Sequence, residues 1–138
     1  MAFLTEDDYK TLITPDDLDI VDQSDSAARA LAETMAQDQM TGYLNQRFDC
    51  AAIFTATEED RSSEIIMRMM DIALYHMHSQ LPGRMGLENR RLRYEDALKW
   101  LSEVAKGNIT PVLPSPAADA TDPLPCNWGS QTRQKYDW

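Results

Sequence analysis

Three segments carry apolar residues at the three-to-four-residue spacing of an amphipathic helix. The first runs from about Asp25 to Arg47, opened by Ser24, and sets Ala28, Leu31, Ala32, Met35, Tyr43 and Leu44 largely on the 3.6-residue period. Gly42 weakens its last turns slightly. The second is capped by Ser62 or Ser63 and runs to about Gln80, where Leu81-Pro82-Gly83 stops it. Ile65, Ile66, Met69, Met70, Ile72, Ala73 and Met77 make it apolar on more than one side, as expected of a central helix. The third runs from about Glu88 to Lys106, and Tyr94, Ala97, Leu98, Leu101, Val104 and Ala105 trace one stripe along it. Lys106-Gly107 is a strong stop, with a cation in the last turn and glycine beyond it.

Two weaker signals precede these helices. Thr5 stands before Glu6-Asp7-Asp8 and can cap a short helix, with Phe3 and Leu4 placed outside it to pack as a staple. Thr14-Pro15-Asp16-Asp17 repeats the pattern, with proline at the first helical position, and predicts a turn through Ile20 or Val21. Between the first two long helices, Ile53 and Phe54 are expected to anchor a short connecting segment to the core.

After Gly107 the periodicity ends. Residues 108–138 hold five prolines, which rule out a helix or a central strand. Ile109, Val112, Leu113, Leu124, Trp128, Tyr136 and Trp138 are spaced along this stretch. Aromatic residues on an extended segment suit docking, because each brings a large apolar surface with few torsions to freeze. The expected fold class is all-α, with three long helices, short N-terminal helices and an extended proline-rich C-terminal arm. The division is a helical domain over residues 1–107 and the arm over 108–138. Trp128, Tyr136 and Trp138 are the candidate docking residues of the arm.

With 138 residues and 43% apolar content, the chain can bury one core without staples. No apolar run reaches the roughly 18 residues that span a bilayer, and the acidic opening is no secretory signal. Cys50 and Cys126 stand apart in no metal-binding spacing and read as free thiols. The formal net charge of −10 argues against DNA binding by counterion release. That charge is uneven. Residues 1–25 hold eight acids against Lys10, whereas residues 84–93 hold Arg84, Arg90, Arg91 and Arg93 against Glu88. An acidic face and a basic stripe can pair between copies, so Arg90, Arg91 and Arg93 are the candidate intersubunit residues.

Candidate chemistry is thin. His76 and His78 lie about 200° apart on a helix and cannot share one metal ion. Asp71 sits in an apolar helix, where a carboxylate is expected to pair with an arginine or with backbone. The methionines Met67, Met69, Met70 and Met77 read as core filler before they read as an adaptable surface. Neither a phosphate-binding glycine loop nor a nucleophile motif is present. The expectation is a protein that is not an enzyme and takes no cofactor.

Several stretches resemble a family of small Mu-like prophage proteins from the head–tail gene region. They are Met1-Ala-Phe-Leu-Thr-Glu-Asp-Asp-Tyr9, Tyr43-Leu-Asn-Gln-Arg-Phe-Asp49, Ala51-Ala-Ile-Phe54, Asp71-Ile-Ala-Leu-Tyr-His76, Arg93-Tyr-Glu-Asp-Ala-Leu-Lys-Trp-Leu101 and Val104-Ala-Lys-Gly107. The resemblance covers roughly residues 1–113, and the arm resembles the family only in type, proline-rich with a basic-aromatic end. The family is similar to the helical head–tail connectors, or adaptors, of tailed phages. This resemblance implies a homo-oligomeric ring, expected to be dodecameric, beneath a portal protein. It also implies a downstream neck or tail protein as partner, and DNA that passes through without specific binding. The place implied is the virion neck, after assembly in the host cytoplasm, with no membrane contact. Acidity fits such a channel, since it repels phosphates and lets DNA slide. Another neck role, such as stopper or tail-completion protein, is the nearest alternative. A small cytoplasmic regulator that binds a partner through its tail is the alternative from a different class.

Overall fold

The computed structural model describes residues 2–23, 25–81 and 87–116. Among these residues the regular structure is entirely helical: α1 (Glu6–Tyr9), α2 (Pro15–Val21), α3 (Ser26–Leu44), α4 (Cys50–Thr55), a 3-10 turn (Glu58–Asp60), α5 (Ser63–His78) and α6 (Leu87–Lys106).

The short helices form because their ends are satisfied by side chains. In α1 the Thr5 hydroxyl accepts from the Asp8 backbone N–H, while the Asp8 carboxylate accepts from the Thr5 N–H at 2.8 Å, a complete capping box. In α2 Thr14 caps Asp17 and Pro15 occupies the first turn, as the sequence pattern predicts. The connecting segment around Ile53 and Phe54 is itself a helix. Asp49 accepts from the Ala52 N–H at 3.0 Å and starts α4, which buries Cys50, Ile53 and Phe54. Phe3 packs edge-on against Phe54, with ring centroids 5.5 Å apart.

The three long helices make the body. Arg68 lies over the Trp100 ring, Tyr75 stacks on Tyr94 at 4.1 Å, and Gln39 donates to the Tyr94 hydroxyl at 3.0 Å. This register runs α5 antiparallel to α6. Gln39 to Tyr94 and Arg47 to the Val104 carbonyl run α3 parallel to α6. α5 is the central helix and packs on both of the others. It buries Ile65, Met69, Met70, Ile72, Ala73, Leu74 and Met77, so three of its methionines fill the core and Met67 stays half-buried.

The first long helix differs from its reading in the sequence. It is capped by Asp25, and its core stripe is Ala32, Ala36, Met40 and Leu44, spaced four apart and 0–2% exposed. Leu31 and Met35 are exposed, at 59% and 45%. The physical reason is size. Small Ala32 and Ala36 let α3 lie close to bulky α5, which turns the larger Leu31 and Met35 outward. The third helix ends as expected. Gly107 takes φ +86°, its N–H donates to the Val104 carbonyl at 3.1 Å, and the Asn108 N–H donates to the Glu103 carbonyl at 2.9 Å. That is a Schellman closure, which needs the left-handed conformation glycine adopts freely.

Candidate functional site

Two features of the body concern the candidate residues: the arginine stripe at the start of α6, and the place where the arm leaves the bundle. The stripe is largely engaged within the chain. Arg93 Nε donates to Asp71 Oδ1 at 2.7 Å, and Asp71 is 2% exposed. Burial pushes the Asp71 carboxyl up, although the Arg93 hydrogen bond and the charges of Arg93, Arg68 and Arg90 pull the other way. The paired arginine expected for Asp71 is therefore a residue also expected at a subunit interface. Arg90 is half-buried and donates to the Leu12 carbonyl at 3.3 Å, tying α6 to the N-terminal segment. Burial works against its charge, and so does Arg93, while Asp71 favours it. Arg91 is the exposed member, 3.0 Å from Glu88 and 3.9 Å from Glu95. Of the three candidates, Arg91 is the most exposed to solvent.

The acidic N-terminal region is divided in the same way. Asp22 is buried under Arg29, which also reaches Glu6 at 3.4 Å. Tyr9 donates to Glu33 at 2.8 Å in the interior, and burial first, then Glu33, raises the phenol strongly. Burial also raises the Glu33 carboxyl. Arg61 holds Asp8 at 2.6 Å and donates to the Phe3 carbonyl at 2.9 Å. Burial alone would raise Asp8. Its bonds from Arg61 and Thr5, with the Arg61 charge, outweigh that and hold the carboxyl below its usual range. Asp7, Asp16, Asp17 and Asp19 remain on the surface.

The histidines fit no shared site. Burial lowers both, favouring the neutral ring, and Arg90 adds to the effect at His78. His76 approaches Gln39 at 3.5 Å. Cys50 is buried, and burial, then the charge of Asp49, raises its thiol. No cluster of His, Cys, Asp and Glu among the described residues could hold a metal ion, and no described helix is long and apolar enough to cross a membrane.

The root of the arm is fixed. Arg47 donates to the Val104 carbonyl at 2.5 Å and to the Ile109 carbonyl at 3.4 Å, and its guanidinium lies 3.8 Å from where a Cβ on Gly107 would stand. The Asp49 N–H donates to the Pro114 carbonyl at 2.9 Å, and Leu113 packs against the core. Arg47 and Arg61 carry positional roles that the helical periodicity does not reveal. Arg47 stands inside one of the stretches that carry the family resemblance, whereas Arg61 had no signal beyond being the lone base after Glu58-Glu59-Asp60. Trp128, Tyr136 and Trp138 lie outside the described residues.

A family model described as "Bacteriophage Mu, Gp36" matches residues 1–125. The chain belongs to the bacteriophage Mu Gp36 family. The match takes in the whole helical body and the proline-rich part of the arm, further than the stretches that carry the resemblance. No curated protein and no solved structure matches the chain. Membership in the Gp36 family supports a structural or assembly role in a phage, and the helical body agrees with the fold expected from the sequence.

Proposed function

We propose that this Gp36-family protein is a head–tail connector that forms a ring under the portal of a tailed phage and lines the DNA channel. The observation that carries the reading is the anchored root of the arm. Three contacts, from Arg47 to Ile109, from Asp49 to Pro114 and from Leu113 to the core, hold the chain at one end of the bundle as the arm begins. An arm launched from a fixed point keeps its docking residues within a set distance of a partner, which raises their effective concentration there.

The surface chemistry supports the same role. The net charge of −10 suits a wall past which DNA slides. Exposed Asp16 and Asp17 on α2, and exposed Arg91 on α6 between Glu88 and Glu95, lie on two different elements, and a head-to-tail ring contact joins two different surfaces. On this reading Trp128, Tyr136 and Trp138 anchor the arm on the portal or a neighbour. The protein acts without catalysis or cofactor, in the virion neck.

The test is a full-length chain with Trp128→Ala, Tyr136→Ala and Trp138→Ala, mixed with portal rings of the same phage. The helical body should keep its circular dichroism, and association should fall at least tenfold. Undiminished portal binding by this variant would remove the arm from the reading. Binding to a tail component alone would make the protein a stopper or tail-completion factor.

A further inference from the structure

We propose that in the free protein a groove beside the end of α4 seats the chain's own C-terminal residues 128–138. The groove has a volume of about 420 Å³ and is lined by Phe3, Phe54, Ala56, Thr57, Glu58 and Arg61, among others. That size falls within the roughly 300–1,000 Å³ of pockets that hold small ligands or anchoring side chains. Its floor is apolar, built on the perpendicular Phe3 and Phe54 rings. Its wall is held independently of any occupant, since Arg61 binds both the Phe3 carbonyl and Asp8. Its rim carries exposed Glu58, with exposed Glu59 and Asp60 following in the same 3-10 turn, while the lining cation Arg61 is already paired with Asp8. Glu58 takes φ +49°, a left-handed conformation that costs a non-glycine residue about 1 kcal/mol and turns the chain sharply at the rim.

The arm matches this surface in both respects. Residues 128–138 bring Trp128, Tyr136 and Trp138 for the apolar floor, and Arg133 and Lys135 against the single acid Asp137 for the acids of that turn. The geometry favours the chain's own arm over that of a second copy. Pro114 is bonded to Asp49, at the start of α4. The groove lies at the other end of that six-residue helix, only ~9 Å along its axis. The twelve residues from Pro116 to Trp128 can extend up to ~40 Å, so the arm reaches the groove with slack. A tether of this length gives an effective concentration on the order of millimolar, well above a second copy at micromolar concentration. The inference concerns the free chain and stands apart from the connector reading. If both hold, a portal competes with the groove for the same residues.

The experiment uses isolated full-length protein with a nitroxide label on Cys126, two residues from Trp128; Cys50 is buried and out of reach of the reagent. Amide signals of Phe3 and of residues 54–61 should broaden severely relative to the reduced label. They should not broaden when labelled, isotopically silent protein is mixed with unlabelled ¹⁵N protein. Trp128→Ala/Tyr136→Ala/Trp138→Ala should abolish the broadening, and Glu58→Lys/Glu59→Lys should reduce it several-fold. Full signal intensity around the groove in the labelled wild type would overturn the proposal. So would broadening found only in the mixed sample, which would make a second copy the occupant, or broadening that survives loss of the three aromatics. None of these outcomes depends on whether the protein binds a portal.

Discussion

Arg93 Nε donates to Asp71 Oδ1 at 2.7 Å, joining α6 to the central helix α5. The two partners are unequal, because the Asp71 side chain is 3% exposed and that of Arg93 is 35% exposed. Removing the arginine strands a buried carboxylate. Arg93→Ala should therefore cost about 2–4 kcal/mol in urea unfolding, the lower end reflecting the partial exposure of Arg93. Asp71→Asn, which keeps an acceptor for Arg93, should cost less. The carboxyl is raised in the folded state, so the fold binds its proton more readily than the unfolded chain does. Its contribution to stability should fall as pH rises from about 4 through the folded value, a slope that Asp71→Asn removes.

Asp8 has the opposite sign. Its carboxyl is held low in the fold, chiefly against burial, by Arg61 and Thr5. The stability it contributes is present above the unfolded value of about 3.9 and is lost as pH falls through the lower folded value. Asp8→Asn should lower stability by about 1–2 kcal/mol at pH 7 and flatten that acid limb. Thermal unfolding measured between pH 2 and 7 for both proteins checks the difference.

Gly107→Ala should destabilise by about 1 kcal/mol, measured by urea unfolding, because alanine must adopt φ +86° to keep the Schellman closure. The space is open enough for the methyl group, whose nearest contact is Arg47 at 3.8 Å. The cost is therefore conformational.

On α3 the two apolar faces should respond differently. Leu31→Ala, at an exposed position, should change the unfolding free energy by less than about 0.5 kcal/mol. Ala36→Leu, at a position with no exposure, should cost about 1–3 kcal/mol by overpacking against α5. Chemical denaturation of the two variants separates the observed face from the one that hydropathy suggests.

That contrast shows where the sequence is legible. The three long helices, the threonine caps of α1 and α2, and the Lys106-Gly107 stop are local, since each is written in a few adjacent residues. The inward face of α3 is not local. It depends on how closely α5 approaches, and small Ala32 and Ala36 outrank larger Leu31 in deciding that. Helix α4 is not legible in the sequence because six residues show too little periodicity, and its Asp49 cap resembles any loop acid. The arginine stripe was visible as charge, but its partners come from elsewhere in the chain. Asp71 lies 22 residues before Arg93, and Leu12 lies 78 before Arg90. Periodicity gave no hint of Arg47 or Arg61, because neither lies on an apolar stripe.

The connector reading makes one demand that no other reading of the chain shares: copies must assemble as a ring on a portal. Purified full-length protein should be mixed with portal rings from the same phage and imaged by electron cryomicroscopy. The account predicts a closed ring of copies seated on the portal, with arms engaging the portal or neighbouring copies. A protein that never associates with portal at any concentration or salt, in mixtures where the portal is intact, would contradict it.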